Sequence, residues 1–190
     1  GTVTISGGTI TGVQSDGVYG YESTVTISGG TIISSGEIGV NANESTVKIT
    51  GGEISGTKYD LYSSNSTFTL GLGEKGVGAT FPGGITVYGT TLNGCLAKDE
   101  NDPAKNAAYW QGTKMILPAE DATVITGGDV VIKAVCNHST NTSKDYTYVD
   151  ETGHSVICSE CGVTFTAAHG DLGYVNQGET GHKTYFTCCQ

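Results

Sequence analysis

Arginine is missing from this chain altogether. All nine basic residues are lysine, and against nineteen acids they leave a net charge of −10 and a pI near 4.6. A protein that holds nucleic acid needs a basic face toward the phosphates, so nucleic acid is set aside as a partner. The acidity suits a secreted or surface protein, or calcium-assisted contacts, and equally plain solubility. Long apolar runs are lacking too: none approaches the ~18–20 residues of a membrane span, and no charged-then-apolar leader opens the sequence. The first residue already falls inside a repeat, so the chain reads as a piece of a longer protein, and the missing leader says nothing about location. Cysteine is almost absent before position 136, where Cys95 stands alone. A hydrophobic share of 36% supports a core if that core is repeated layer upon layer. Glycine is abundant instead: thirty residues without a collagen period, most of them at recurring turns.

The recurrence has a fixed period. Thr2-Val3-Thr4-Ile5-Ser6-Gly7-Gly8-Thr9-Ile10 returns as Thr24 to Ile32 and again as Thr46-Val47-Lys48-Ile49-Thr50-Gly51-Gly52-Glu53-Ile54, with a worn copy at Thr67-Phe68-Thr69-Leu70-Gly71. Such self-similarity is the mark of a solenoid. Period-two alternation makes Val3-Thr4-Ile5 and its copies a strand with one buried face, the Gly-Gly pair a turn needing close backbone approach or positive φ, and Thr9-Ile10 the start of a second short strand. A third segment repeats as Gly17-Val18-Tyr19-Gly20-Tyr21, Gly39-Val40-Asn41-Ala42-Asn43 and Asp60-Leu61-Tyr62-Ser63-Ser64. The expected fold is all-β: a single-stranded, right-handed parallel β-helix over 1–92 with rungs of about 22 residues, a capping segment over 93–135, and a small β module over 136–190. Strands ~4.8 Å apart place Val3, Val25, Val47 and Phe68 in one ladder, and Ile5, Ile27, Ile49 and Leu70 in another.

These repeats resemble the pectin-lyase-like β-helices, and most closely the Ser-Thr-Val-Thr-Ile-Ser-Gly-Gly-Thr-Ile repeats of large surface proteins from anaerobic Gram-positive bacteria. The resemblance covers the repeat region, 1–92, and implies an extracellular or cell-surface setting. Among relatives of the fold are polysaccharide lyases, glycoside hydrolases, polygalacturonate-binding modules and adhesins.

Catalysis asks for more than the repeat displays. A lyase needs a strong base and clustered acids holding calcium, whereas Lys48 and Lys58 have only the scattered Glu37, Glu44, Glu53 and Asp60 around them. A hydrolase needs carboxylates gathered at ~5–9.5 Å. The one carboxylate ladder, Glu22 and Glu44 continued by Asn65, reads as a turn position beside Ser23, Ser45 and Ser66. Binding is better supplied: Tyr19, Tyr21 and Tyr62, with Asn41 and Asn43 between them, fall on one outward face. Rings that stack on a sugar and amides that bond its hydroxyls suit a polysaccharide or host glycan. The competing reading is that the tyrosines cover strand edges and stack on one another. A ligand-free structural stalk is a further alternative.

In the middle, Asp102 as N-cap and Pro103 as first helical residue predict a helix of about two turns closing the solenoid, with Trp110 as its apolar plug. Cys95 reads as a small buried residue. Met115-Ile116-Leu117-Pro118 reads as a strand ending at its proline, and Ala122 to Ile132 as a returning fragment of the repeat, either a last rung or a hairpin.

Five cysteines and all four histidines crowd into the final stretch, 136–190. Cys136-x-His138 followed by Cys158-x2-Cys161 resembles the two halves of a zinc-ribbon-like site, and Gly162 stands where such a knuckle wants a glycine. Cys136, His138, Cys158 and Cys161 would form one closed, structural zinc site. Disulfides are the competing reading for an exported chain, and a redox Cys-x2-Cys the third. Asp150-Glu151-Thr152-Gly153-His154 is echoed further on by Gln177-Gly178-Glu179-Thr180-Gly181-His182. The echo resembles the short Cys/His repeats near the ends of Gram-positive surface proteins, and would group His169 and His182 with Cys188 or Cys189.

Overall fold

A computed structural model describes residues 1–102, 105–136 and, beyond these, 147–150, 153–157, 162, 164–168, 172–176 and 182–186. The chain divides into two units, Gly1–Val135 and Cys136–Gln190.

The first unit is a parallel β-solenoid of four turns. β1 (Thr2–Gly12) and β2 (Val18–Tyr21) make the first turn, β3 (Thr24–Ser34) and β4 (Ile38–Asn43) the second, and β5 (Thr46–Gly56) and β6 (Tyr59–Ser64) the third. β7 (Thr67–Leu70), β8 (Val77–Phe81) and β9 (Gly84–Tyr88) make the fourth. Each strand pairs in parallel with its counterpart one turn on, and the ladders Val3/Val25/Val47/Phe68 and Ile5/Ile27/Ile49/Leu70 are in register as the alternation requires. Burial follows the stacking. Val3 is 42% exposed, while Val25 and Val47, covered on both sides, are at 1% and 0%.

One detail departs from the three-strand coil expected of each repeat. The Gly-Gly pair does not end the first strand; it bends a continuous strand of 11 residues through a bulge, where Ser6 pairs with Gly29 and Ser28 with Gly51. Gly8, Gly30 and Gly52 take φ of 82°, 89° and 92°, and a Cβ on Gly52 would stand 2.9 Å from the Gly30 carbonyl oxygen. Ladder hydrogen bonds resume past the bulge, so bending costs less than stopping.

The turn closing each rung carries an unusual ladder: Glu22, Glu44 and Asn65 all adopt positive φ, at 42°, 50° and 48°. Serine supports it. The Ser45 hydroxyl accepts from the Ser23 N–H (3.0 Å) and donates to the Asn43 carbonyl (2.8 Å); Ser66 repeats this toward Ser45 (2.9 Å) and Ser64 (2.9 Å). These acids and their aligned asparagine are therefore backbone devices of the turn. Asp60 is likewise structural, buried and accepting from the N–H of Gly56 (3.0 Å) and of Thr86 (2.7 Å). Burial pushes its carboxyl above the usual value, against the pull of those N–H groups.

Past the fourth turn the chain reverses. α1 (Leu92–Cys95) is a single turn capped by the Thr91 hydroxyl, followed by β10 (Ala107–Gln111), β11 (Lys114–Ile116), β12 (Val124–Thr126) and β13 (Val130–Ala134). β12 runs antiparallel to β9 and β13 antiparallel to β8, with β10 beyond β13. The returning fragment of the repeat thus comes back in reverse across both sheets. β11 ends short of Pro118, as expected.

Among the described residues no helix of two turns follows Asp102: the Lys105 N–H donates to the Asp102 carbonyl at 2.9 Å, and Ala107–Gln111 is the strand β10. A free helix of two turns lacks the length to offset its nucleation cost, whereas Ala107–Trp110 gains a full antiparallel ladder on β13. The plug changes as well. Tyr109 is fully buried, its hydroxyl donating to the Leu92 carbonyl at 2.7 Å, while Trp110 lies outside the main core and donates to the Ala134 carbonyl at 3.1 Å. Cys95 is buried beside them, and desolvation pushes its thiol up to about 11, a poor nucleophile at neutral pH.

In the second unit, β14 (Thr147–Asp150), β15 (Gly153–Ile157) and β16 (Thr164–Ala168) form an antiparallel sheet, and β17 (Leu172–Asn176) pairs antiparallel with β18 (His182–Phe186). Tyr148 pairs with His154 and Asn176 with His182. The echo in the sequence therefore recurs as the same backbone pairing.

Candidate functional site

The second sheet, β2-β4-β6-β9, builds the site. Its inward ladder is Val18/Val40/Leu61/Val87, and the next residue of each strand faces outward, giving Tyr19/Asn41/Tyr62/Tyr88. Two residues on, Tyr21, Asn43 and Ser64 form a shorter outward ladder. Parallel pairing without a bulge keeps both ladders vertical, so one ring follows another at the strand spacing.

Tyr62 and Tyr88 are stacked, with ring centroids 4.8 Å apart and planes within 8°. Tyr59 packs obliquely against both, at 6.1 Å and 5.2 Å, and the Lys58 ammonium stands 5.8 Å from the Tyr59 ring centre. At the second rung the ladder has an amide instead of a ring. Asn41 donates through Nδ2 to the Asp16 carboxylate at 2.7 Å, which fixes the side chain.

Around Asn41 lies a groove of about 370 Å³, lined by Tyr19, Glu37, Asn41, Asn43, Lys58, Tyr59, Tyr62 and Ser64. Of the residues expected on the binding face, Tyr19, Asn41, Asn43 and Tyr62 line it together. Tyr21 does not; it is exposed on the same sheet beyond the lining. Sequence reasoning missed Tyr59, Glu37 and Lys58 in the groove and Tyr88 behind it. Tyr59 aligns with Ile38, a buried position, so alternation assigns it to the core. Tyr88 falls later in the chain than the repeat period would place it, because the loop after β7 lengthens the fourth turn.

A larger cleft of about 470 Å³ opens on the other sheet beneath the Leu72–Gly76 loop. Its lining mixes Lys48, Lys98 and Lys105 with Glu74 and Asp99, Lys105 is tied to Asp102 at 3.0 Å, and among the described residues no aromatic side chain lines it. The stacking surface a sugar requires is in the smaller groove.

For the expected zinc set, Cys136 is buried, and His138, Cys158 and Cys161 lie outside the described residues, as do His169, Cys188 and Cys189. Gly162 is described and has φ 68°, the left-handed conformation that the residue after a Cys-x2-Cys knuckle favours. Among the described residues, no helix is long and apolar enough to cross a membrane. No family model matches the chain, and no curated protein or solved structure matches it either.

Proposed function

We propose that the protein is a non-catalytic, carbohydrate-binding β-helix of an extracellular or cell-surface protein, related to the pectin-lyase-like surface proteins of anaerobic Gram-positive bacteria. The observation carrying this reading is the groove at Asn41. Tyrosine faces, primary amides and a hydroxyl converge there, the mixture that fits alternating apolar faces and hydroxyls of a sugar chain. The tyrosines do stack on each other, as the competing reading required, Tyr88 on Tyr62 with Tyr59 oblique to both, but Tyr59 and Tyr62 still line the groove, and the 58% exposed Tyr19 lines it with them. A polysaccharide hydrolase would need two carboxyl groups across a scissile bond. Glu37 is one such group in the lining; the nearby Asp16 is committed to Asn41.

The second unit we read as a structural zinc module held by Cys136, His138, Cys158 and Cys161. Four protein ligands leave no open position for water, so the metal would supply folding free energy rather than chemistry. The left-handed Gly162 supports the knuckle.

Two experiments test these readings. On a glycan array, the unmodified chain should give signals that the Tyr19→Ala/Tyr62→Ala double variant loses; identical profiles would remove the binding face. Elemental analysis of the purified protein with a thiol count under denaturing conditions should give about one zinc per chain and titratable cysteines; no zinc and few thiols would mean disulfides.

A further inference from the structure

The outward ladder of the second sheet is aromatic at every rung except one. Tyr19, Tyr62 and Tyr88 occupy the first, third and fourth rungs, and Asn41 the second. Tyr62 and Tyr88 are parallel within 8° with ring centroids 4.8 Å apart, so Tyr88 covers one face of Tyr62. Tyr62 also lines the groove at the missing step, with Tyr59 packed obliquely beside it at 6.1 Å. The Tyr19 and Tyr62 backbones flank that step two strand spacings apart, about 9.6 Å.

That width discriminates between guests. A flat ring touching both walls needs two van der Waals gaps of ~3.5–4.0 Å, about 7–8 Å in all, and would sit loose. A chair-shaped pyranose is thicker, since axial hydrogens stand off both faces, and fills a gap of that order more closely. The floor is fixed, because Asp16 holds Asn41 by a 2.7 Å hydrogen bond while the amide oxygen can still accept from a hydroxyl. The rim carries one charge of each sign, Glu37 and Lys58, and so no cationic excess for a uronate or sulfate.

We propose that the open step at Asn41 takes a single uncharged pyranose ring of a glycan, inserted between Tyr19 and Tyr62 with Asn41 as its floor. The proposal rests on the carbohydrate-binding reading above and adds the ligand's class and its mode of entry.

Asn41→Tyr tests it by completing the ladder. A fourth stacked ring should keep or raise the melting temperature while cutting affinity for the tightest-bound of cellohexaose, chitohexaose and mannohexaose at least tenfold by calorimetry. Asn41→Ala, which keeps the slot but removes its floor, should weaken binding several-fold without abolishing it. In the unmodified protein with labelled tyrosine, the ring signals of Tyr19 and Tyr62 should both shift on titration with that hexasaccharide, and those of Tyr88 less; this readout needs no variant to fold. If Asn41→Tyr binds as tightly as the unmodified chain while Tyr19→Ala/Tyr62→Ala does not, the slot is wrong and the glycan-binding face stands. Tighter binding of hexagalacturonate than of every neutral hexamer overturns the uncharged class. Binding of none of the four probes overturns the proposal together with the reading beneath it.

Discussion

Replacing Ile49 by alanine should cost far more than the same change at Ile5, although both residues belong to one ladder and one repeat motif. Ile49 is fully buried, with Ile27 and Leu70 in register on the rungs either side of it. Removing three carbons forfeits ~0.8 kcal/mol each, about 2.4 kcal/mol. The void, roughly 80 Å³ if nothing relaxes, adds up to about 1.9 kcal/mol at ~24 cal/mol per Å³. Relaxation is limited because both flanking side chains are held by their own ladders, so the expected loss is about 3–4 kcal/mol. Ile5 is half-buried with one registered neighbour, Ile27; no closed cavity forms and the loss should be about 1 kcal/mol. Ile27→Ala should behave like Ile49→Ala. Urea unfolding followed by circular dichroism, with the three variants compared at constant m-value, measures the gradient. Equal losses at Ile5 and Ile49 would refute the nearest-neighbour reasoning, since they would mean that enclosure by flanking rungs makes no difference.

Three further outcomes each rest on a single observation. Gly8→Ala should cost about 1–2 kcal/mol from its positive φ alone, and Gly52→Ala clearly more, because its Cβ also meets the Gly30 carbonyl; equal melting shifts would contradict a stacking role for the glycine. Ser45→Ala should cost about 1–3 kcal/mol by orphaning the Ser23 N–H, and unchanged stability would remove the serine ladder from the fold's supports. The folded chain binds a proton at Asp60 more readily than the unfolded chain, so its contribution falls as pH rises from the ordinary value near 3.8 through the raised one, and grows on acidification. The difference in urea midpoint between the unmodified protein and Asp60→Asn should therefore shift toward the unmodified protein as pH is lowered from neutral to below that ordinary value; a pH-independent difference would sink the assignment.

The solenoid could be read from residues because its determinants are local and repeated. Val3, Val25 and Val47 stand in the same local sequence pattern, so alternation and period settle strand, face and register together. The turn at Glu22, Glu44 and Asn65 was legible for the same reason, as each precedes a serine of a ladder in which Ser23 and Ser45 donate their N–H to the serine of the next rung; its positive φ was not. Illegibility begins where a residue's partner is remote in sequence and unrepeated. Asp102-Pro103 is a sound helix start in isolation, yet Tyr109 and Trp110 are decided by β13, far along the chain. Tyr59 was lost because it stands in register with the buried Ile38, and Tyr88 because a lengthened loop displaces it from the repeat period.

Periodicity also identifies which outward residues carry something besides the fold. In a stack, like on like is the stable choice, since each side chain packs on its own counterpart a strand spacing away. A residue that breaks its ladder gives up that contact, and unless another interaction replaces it the rung is weakened. Two breaks are informative here. Lys48 interrupts the threonines of Thr4, Thr26 and Thr69 and reaches into the mixed-charge cleft, where a long flexible side chain needs no partner. Asn41 interrupts the tyrosines, and its break is supported: Asp16, on the loop before β2, places a carboxylate 2.7 Å from the amide. That bond offsets a lost ring contact and holds the gap open, whereas an unsupported gap would be closed by the neighbouring rings leaning into it. A Tyr19 that collapsed onto Tyr62 in Asp16→Ala, detected as a new contact between their ring protons, would show the bond keeping the two walls apart; rings that stay separated would show that the sheet alone does so.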